Sequence, residues 1–426
     1  VKLSSAAVHV VSLHLRKEIR MLFQQSIMKK VEQLAAGVRQ QLDLSLRADL
    51  WGEYQFDFGH FSQPAVTLRI NDASAIPLLL TPSLDNLGQL YVEGRLDIDG
   101  TLHDIIDCAY ALADATLTEA SHLMRVVRHF SHSKREDQSA IAYHYDVSND
   151  FYRQWLDRNM VYSCAYFERG DEDLDQAQLN KIDHILTKIR LQPGQHLLDI
   201  GCGWGALVVR AAEHYGARCT GITLSEQQFE YARERVRAAG LADRVEIRLQ
   251  DYRELSGQYD RITSVGMFEH VGRNNLVDYF SIIRRLLRPD GWVMNHGITS
   301  TDPAGGETRH GGGEFIDRYV FPQGELPHLS QVAHSMQQAG LEIFDVENLR
   351  RHYQRTLVHW AERFEASTGK IRELVDDKTY RIWRIYLAGC AHAFAIDAIS
   401  IYQVLGRPAD LPTDGLPWSR RYIYDR

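Results

Sequence analysis

The stretch "HLLDIGCGWGALVVRAAEHYGARCTGITLS", residues 196–225, passes from an apolar strand pattern through three glycines set two apart into a helical pattern, then into a second β-rich run. A strand, a tight turn, a helix and another strand within about thirty residues is the repeating unit of an open parallel sheet. The alternation continues at "RVEIRL" (244–249), "YDRITSV" (259–265) and "GWVMNHGI" (291–298), each separated by a helix-length segment. An α/β domain with a mostly parallel sheet is therefore expected, with ligands at the carboxyl ends of its strands.

The first turn of such a sheet makes the closest approach to a ligand. Gly201, Gly203 and Gly205 permit positive φ and lack the Cβ atoms that would hold a ligand off the backbone. Their G-x-G-x-G spacing departs from the G-x-G-x-x-G of dinucleotide sites, and no Gly-Lys-Ser/Thr ending makes a P-loop. Trp204 fills one spacer, and Asp199 ends the preceding strand. A carboxylate there repels phosphate and suits a cation. S-adenosylmethionine carries an ammonium and a sulfonium but no phosphate, so it fits such a cradle. The plain alternative is a turn that only packs helix on strand.

At 426 residues the chain can hold two or three domains. Hydrophobic residues at 44% and charged residues at 24% are globular values, and no run reaches the roughly 18 apolar residues of a membrane span. The first thirty residues show no secretory signal, so the expected address is cytoplasmic. Five scattered cysteines, Cys108, Cys164, Cys202, Cys219 and Cys390, form no metal-ligand spacing and suit a reducing compartment; no metal is expected. A net charge of -8 argues against wholesale nucleic-acid binding. The N-terminus is nevertheless locally basic: Lys2, Arg16, Lys17, Arg20, Lys29, Lys30 and Arg39 face only Glu18 and Glu32.

Residues 8–42 have helical spacing, with Leu13, Ile19, Leu22, Phe23, Ile27, Val31 and Leu34 among basic residues. They read as one amphipathic helix or two, docked on their own domain, with a membrane-facing helix as the alternative. Short β-like runs follow at "AVTLRI" (65–70) and "QLYVEGRL" (89–96), and 101–130 reads as one long helix. These give a small α+β N-terminal domain over 1–125. A linker over 126–140 contains the polar run "SHSKREDQSA", the catalytic domain spans 141–410, and 411–426 is a C-terminal tail. After 350 the pattern reads as all helical, through "RTLVHWAERFEAS" and 376–405.

Seven blocks then specify the class: "HYDVSNDFY" (144–152), "MVYSCAYF" (160–167), "LLDIGCGWGAL" (197–207), "GITLSEQQ" (221–228), "SVGMFEHVG" (264–272), "FIDRYVFPQGELP" (315–327) and "ENLRRHYQRTLVHW" (347–360). In this order they make the sequence resemble the cyclopropane-fatty-acyl-phospholipid synthase family of S-adenosylmethionine-dependent enzymes, which includes the mycolic acid cyclopropane synthases. The resemblance covers most of 141–405, and the extra N-terminal domain is similar to that of the long, phospholipid-modifying members. It implies a Rossmann-like class I methyltransferase domain. It also implies cofactor contacts at Tyr162, Ser163, Asp199, Gly201, Cys202, Gly203, Trp204, Gly205, Thr223, Gln228, Tyr252 and Arg253.

The implied reaction carries a methylene group from S-adenosylmethionine to a cis double bond of a phospholipid acyl chain. An alkene is a weak nucleophile, so donor and acceptor must be held in line with water excluded. Methyl transfer leaves a carbocation that only proton loss turns into a ring. The resemblance implies bound bicarbonate as the base, held by Cys164, Glu269, His296, Ile298 and Tyr353. Aromatic faces stabilise a cation, and Tyr162, Tyr166, Phe268, Tyr319, Phe321, Tyr353 and Trp360 lie in the matched blocks, Tyr353 foremost. Cys390 matches a suspected nucleophile, but "LAGCAHAF" reads as helix packing or as a wall of the acyl tunnel. The expected partner is a bilayer surface with unsaturated acyl chains, met peripherally at the inner face of the membrane. A homodimer contact is the alternative for the same N-terminal segment. Two rival functions stay open: an acyl methyltransferase that leaves a branch without ring closure, and an inactive lipid-binding scaffold.

Overall fold

In the computed structural model of the chain, residues 28–72, 75, 83–116, 147–303, 313–321, 324–409 and 411–424 are described. They fall into two compact units, residues 28–116 and residues 147–424. The basic stretch 1–27, the second half of the helix expected over 101–130, the linker 126–140, the opening of the "HYDVSNDFY" block and Pro322 and Gln323 lie outside the described residues. No helix among the described residues is long and apolar enough to cross a membrane.

The first unit opens on helix α1 (28–41). Its apolar positions Val31, Leu34, Ala35 and Val38 pack into the core of the unit, while Lys29 and Lys30 are exposed. Burying such a Val or Leu contributes about 1.5–3 kcal/mol, so this face is committed to the fold. Four strands follow: β1 (Leu46–Leu50), β2 (Tyr54–Asp57), β3 (Val66–Ile70) and β4 (Leu96–Asp99), in the order β2-β1-β3-β4. β1 and β2 form a hairpin absent from the sequence reading. Trp51 and Gly52, in the three-residue loop 51–53 at its tip, both have positive φ, which suits the twist of the flanking strands.

"QLYVEGRL" is a correction. Its first half closes helix α2 (Leu84–Val92), and only Leu96 enters a strand. Ser83 caps the helix by accepting from the Asn86 N–H, and Leu87, Leu90 and Tyr91 bury one helical face. Gly94, at φ 70°, then turns the chain into β4. Alternation over a few residues had imitated a strand. Helix α3 (Leu102–Thr116) completes the unit.

The second unit is a seven-stranded sheet in the order β10-β11-β9-β8-β5-β6-β7. The five expected strands are β5 (His196–Ile200), β6 (Arg218–Thr223), β7 (Val245–Leu249), β8 (Tyr259–Val265) and β9 (Leu287–Ser300), all parallel to their neighbours in this set. Helices α4 (Leu174–Lys188), α5 (Ala206–Tyr215), α6 (Glu226–Ala238), α7 (Leu276–Leu286) and α8 (Leu329–Gln338) accompany them. Apolar clusters cover both faces of the sheet, one holding Leu197 and Met294 and another Leu198 and Val293, as neighbouring strand residues alternate between faces.

The all-helical reading after 350 holds for α9 (Arg350–Ala366) and α10 (Asp377–Ala395), and fails beyond them. Ile399–Pro408 is strand β11, inserted antiparallel between β9 and a second unforeseen strand, β10 (Leu341–Asn348). Asp397, at φ 62°, ends the helix in a left-handed turn. The β-branched Ile399, Ile401 and Val404 then favour the extended chain.

Gly297 in β9 has no room for a side chain, because an added Cβ would lie 1.8 Å from Phe268 Cε1. Phe268 is buried beside Glu269, so this contact seats the segment that carries the carboxylate. Gly297→Ala should cost about 1–3 kcal/mol and lower the thermal midpoint by several degrees. An unchanged midpoint in a thermal melt would show that the Phe268 ring is free to move aside.

Candidate active site

At the carboxyl edge of the sheet β5 ends in Asp199, buried, with its Oδ1 accepting from Thr263 Oγ1 on β8 at 2.7 Å. Burial raises its pKa to about 6, against the pull of the Thr263 hydroxyl and the Lys181 charge. The three glycines after it all have positive φ, but they do different things. A Cβ on Gly201 would press on Met267 and one on Gly205 on Ala232, both at 3.1 Å, whereas one on Gly203 would meet nothing within 4 Å. Gly201 and Gly205 thus serve packing, and Gly203 opens the loop. Trp204 turns inward: its Nε1 donates to Asn149 Oδ1 at 2.7 Å and its ring lies 5.1 Å from Tyr152.

A cleft runs along this loop. Tyr162, Ser163, Asp199, Gly201, Cys202, Gly203, Trp204, Thr223, Gln228 and Tyr252 line it. Gly205 and Arg253 do not. The Arg253 guanidinium instead pairs with both oxygens of Asp251, at 2.9 and 2.7 Å, and lies over the Tyr252 ring. Thr223 Oγ1 donates to Gln228 Oε1 at 2.9 Å, so these two neutral groups hold each other at the end of β6.

The wall formed by 160–164 is tied to helix α4. Asp157 accepts the N–H groups of Asn159 and Val161, both at 2.8 Å, around Met160, which sits at φ 57°. Gln178 donates to the Ser163 carbonyl at 2.8 Å, and Lys181 Nζ donates to Ser163 Oγ at 2.8 Å. Lys181 also lines the cleft, and burial lowers its pKa to about 8. Residue-by-residue reading had passed over it, together with Gln250 and His270, which line the same cleft. A trace existed: Lys181, His184 and Lys188 fall in helical phase with Leu174 and Ala177, on the buried stripe of α4.

The residues assigned to the anion gather around β9. Glu269 Oε1 accepts the Ile298 N–H at 2.7 Å, and burial raises the Glu269 pKa to about 7 against that hydrogen bond. His296 is buried on the same strand, two residues away and hence on the same face as Ile298. Its pKa lies well below the usual histidine value, through burial and the Lys181 and Lys188 charges. Ile298 pairs with Ile401 of β11; Ile401 accepts from the Leu349 N–H; and Leu349 carries on its carbonyl both the Tyr353 N–H and the Cys164 thiol. Cys164 is fully buried, and burial pushes its thiol pKa up. Cys390 lies on α10, one helical turn from Tyr386, with its pKa raised to about 12 by burial. A thiol held protonated is a poor nucleophile.

Between cleft and anion group lies a set of rings. Tyr162 contacts Trp155 at 5.5 Å and Trp360 at 5.2 Å, Trp360 contacts Tyr353 at 5.9 Å, and Tyr353 contacts Phe394 at 4.7 Å. The other named aromatics are placed elsewhere. Tyr166 stacks on His184 and His352, Phe268 seats Gly297, Tyr319 pairs with Phe315, and Phe321 lies near His270 and Tyr386.

Sheet order, an acidic first-strand end and a glycine turn opening on a cleft define a class I S-adenosylmethionine-dependent methyltransferase. Comparison with known proteins narrows this. Residues 132–404 match the mycolic acid cyclopropane synthetase family, and residues 34–121 match a family described only as a domain of unknown function. A probable fatty acid methyltransferase of Pseudomonas putida is 48% identical over 90% of this chain and 98% of its own. The cyclopropane-fatty-acyl-phospholipid synthase of Escherichia coli (strain K12) is 40% identical over 62% of this chain and 66% of its own. The crystal structure of mycolic acid cyclopropane synthase CmaA1 complexed with SAH and CTAB superposes with a TM-score of 0.60 at 36% identity, covering 63% of this chain and 97% of that one. The chain belongs to the mycolic acid cyclopropane synthetase family, a family of S-adenosylmethionine-dependent lipid cyclopropane synthases and methyltransferases, and is a methyltransferase enzyme.

Binding of a sulfonium beside Asp199 should follow the ionisation of that carboxylate. Affinity for S-adenosylmethionine is expected to tighten as pH rises through about 6 and to level off above it, because only the ionised form attracts the cation. Thr263→Val removes the hydrogen bond that favours the anion and should move this rise to higher pH. Calorimetric titration across that range reads both effects; a flat profile would separate Asp199 from the cation.

Proposed function

We propose that this enzyme adds a one-carbon unit from S-adenosylmethionine to the cis double bond of an unsaturated phospholipid acyl chain and closes it to a cyclopropane ring, with bicarbonate bound around Glu269 and His296. One observation carries the reading. Glu269 Oε2 and His296 Nε2 are both buried, and neither has a hydrogen-bond partner. Ile298, which tethers Glu269, lies on the same face of β9 as His296, so a polar group bound there would partner both atoms. The set fits bicarbonate, whose hydroxyl can donate to Glu269 while a ring N–H donates to an oxygen.

S-adenosylmethionine, when bound, supplies the methyl group, and bicarbonate supplies a base in a place where no free carboxylate or neutral amine is needed. The chain's own residues do the rest. Asp199 and the open Gly203 backbone receive the cationic end of the donor, and the segment 160–164, strapped to α4, fixes Tyr162 against the aromatic set. The Tyr353, Trp360 and Tyr162 faces favour a developing positive charge by about 0.5–2 kcal/mol each. The burial of Tyr353 and Trp360 keeps out water, which would otherwise trap that charge. Glu269, tethered through Ile298, holds the hydroxyl of the anion and so orients its basic oxygen.

A second reading, transfer that leaves a methyl or methylene branch, is favoured by the relative named as a probable fatty acid methyltransferase, which matches nearly end to end. Proton NMR of lipid extracted after turnover on unsaturated phospholipid vesicles separates the two, since only a ring gives the upfield cyclopropane methylene signal. Ring product is expected; branched product alone would replace the first reading by the second. Glu269→Gln should keep cofactor affinity within about twofold and lower turnover by about 10²–10³-fold, as for loss of one preorganised polar contact to a reacting anion. Unchanged turnover would remove Glu269 from the chemistry.

In the same reading the N-terminal unit meets an anionic lipid surface. Because the apolar face of α1 is already spent on its own core, the contact is carried by exposed cations such as Lys29 and Lys30. Near an anionic surface each is worth about 1 kcal/mol, so replacing both by Ala should weaken vesicle binding by roughly 30-fold. Raising the salt tenfold should weaken the wild type similarly. Co-sedimentation insensitive to both changes would show that lipid is met by another surface.

A further inference from the structure

Behind the anion group, strand register builds a polar row across the sheet. Glu347 of β10 is the direct partner of Gln403 on β11, and Gln403 is the direct partner of His296 on β9. His184 and Lys188, one turn apart on α4, land on this row. His184 Nε2 lies 2.7 Å from Glu347 Oε2, and Lys188 Nζ donates both to that oxygen and, at 3.0 Å, to Gln403 Oε1. The Gln403 amide nitrogen lies 3.1 Å from His296 Nδ1. Gln403, His296 and Lys188 are almost completely buried, so water does not compete for these bonds.

The donors and acceptors of this row admit one arrangement. An ammonium has hydrogens and no acceptor, so the amide end facing Lys188 is the oxygen. Burial lowers the Lys188 pKa, and the Glu347 and Asp345 carboxylates oppose that shift, keeping the amine a donor between two oxygens. Glu347 stays an anion: against the upward push of burial, the His184 hydrogen bond and the Lys188 charge bring its pKa to about 2. With Oε1 taken by Lys188, the Gln403 nitrogen turns its hydrogens toward His296, whose Nδ1 must accept. A neutral imidazole that accepts at Nδ1 carries its single hydrogen on Nε2.

We propose that Gln403, oriented by Lys188, is a positioning residue that holds His296 in the Nε2–H tautomer, so that the histidine enters the reaction only as a hydrogen-bond donor and never as the base. This rests on the reading of Glu269 and His296 as an anion site, and it assigns the two unpartnered atoms opposite roles. Glu269 Oε2 accepts and His296 Nε2 donates. An anion with one hydroxyl and further oxygens, such as bicarbonate, meets both; an anion without a hydrogen meets only one.

Neutron diffraction from crystals of the perdeuterated full chain reads the tautomer directly and needs no variant. Deuterium on His296 Nε2, none on Nδ1, and Gln403 nitrogen facing the ring are expected; deuterium on Nδ1 overturns the proposal. Gln403→Glu keeps the shape but places a carboxylate acceptor at Nδ1, so deuterium should move to Nδ1. Turnover should then fall by about 10²-fold, the cost of one lost donor to a reacting anion, with S-adenosylmethionine affinity within about twofold. If Gln403→Glu leaves deuterium on Nε2, Gln403 does not set the tautomer and the proposal fails. Should the deuterium move while turnover holds, the positioning claim stands and the anion-site reading of His296 is what falls.

Discussion

The pairing of β11 with β9 is the constraint on which the site depends. It is antiparallel and joins the antiparallel pair β10–β11 to the parallel set, and its register places Ile401 against Ile298 and Gln403 against His296. Through the first pair the Leu349 turn, with Tyr353 and Cys164 attached, is brought up to the strand whose backbone holds Glu269. Through the second, a polar row reaches the histidine from behind. A slip of one residue would turn every one of these side chains to the opposite face. Register here is therefore a chemical specification as well as a structural one.

Several ionisable groups along the cleft and on β9 are buried. Asp199, Lys181, Glu269 and His296 are all buried, and burial is the leading cause of each pKa shift, upward for the acids and downward for the bases. Such an arrangement is costly in stability, since buried charge is compensated only by good geometry. What it provides is a set of groups whose pKa values burial has already moved before any ligand arrives. The aromatic set has the complementary property: its ring faces attract a cation by the ring quadrupole without adding a formal charge to the interior.

Much of this was legible in the sequence, and the illegible parts share a cause. The five parallel strands announced themselves because each is a short apolar run next to a helix-length segment. Asp199 and the glycine turn followed from the position of the first strand. The division of labour among the glycines was hidden, because Met267, Ala232 and Phe268 approach from segments distant in sequence. "QLYVEGRL" misled because alternation over a few residues is compatible with the end of a helix. Ile399–Pro408 reads as helix because its partners, β9 and β10, lie about one hundred and about sixty residues away, and a strand buried on both faces shows no alternation.

The amino-acid sequence by itself determined the class of fold, the edge of the sheet where a cationic donor binds, and the types of residue available for the reaction, because these depend on local pattern and on the chemistry of single side chains. Only the tertiary structure decided which groups are partnered. It gave Arg253 to Asp251 and Trp204 to Asn149, left Glu269 Oε2 and His296 Nε2 without partners, and set Gln403 between Lys188 and His296. Hydrogen bonds are made over about three ångströms between atoms that, for Lys188 and Gln403, stand 215 residues apart in the chain. Which donors meet which acceptors is thus settled by strand register and helix packing, and no local pattern encodes either.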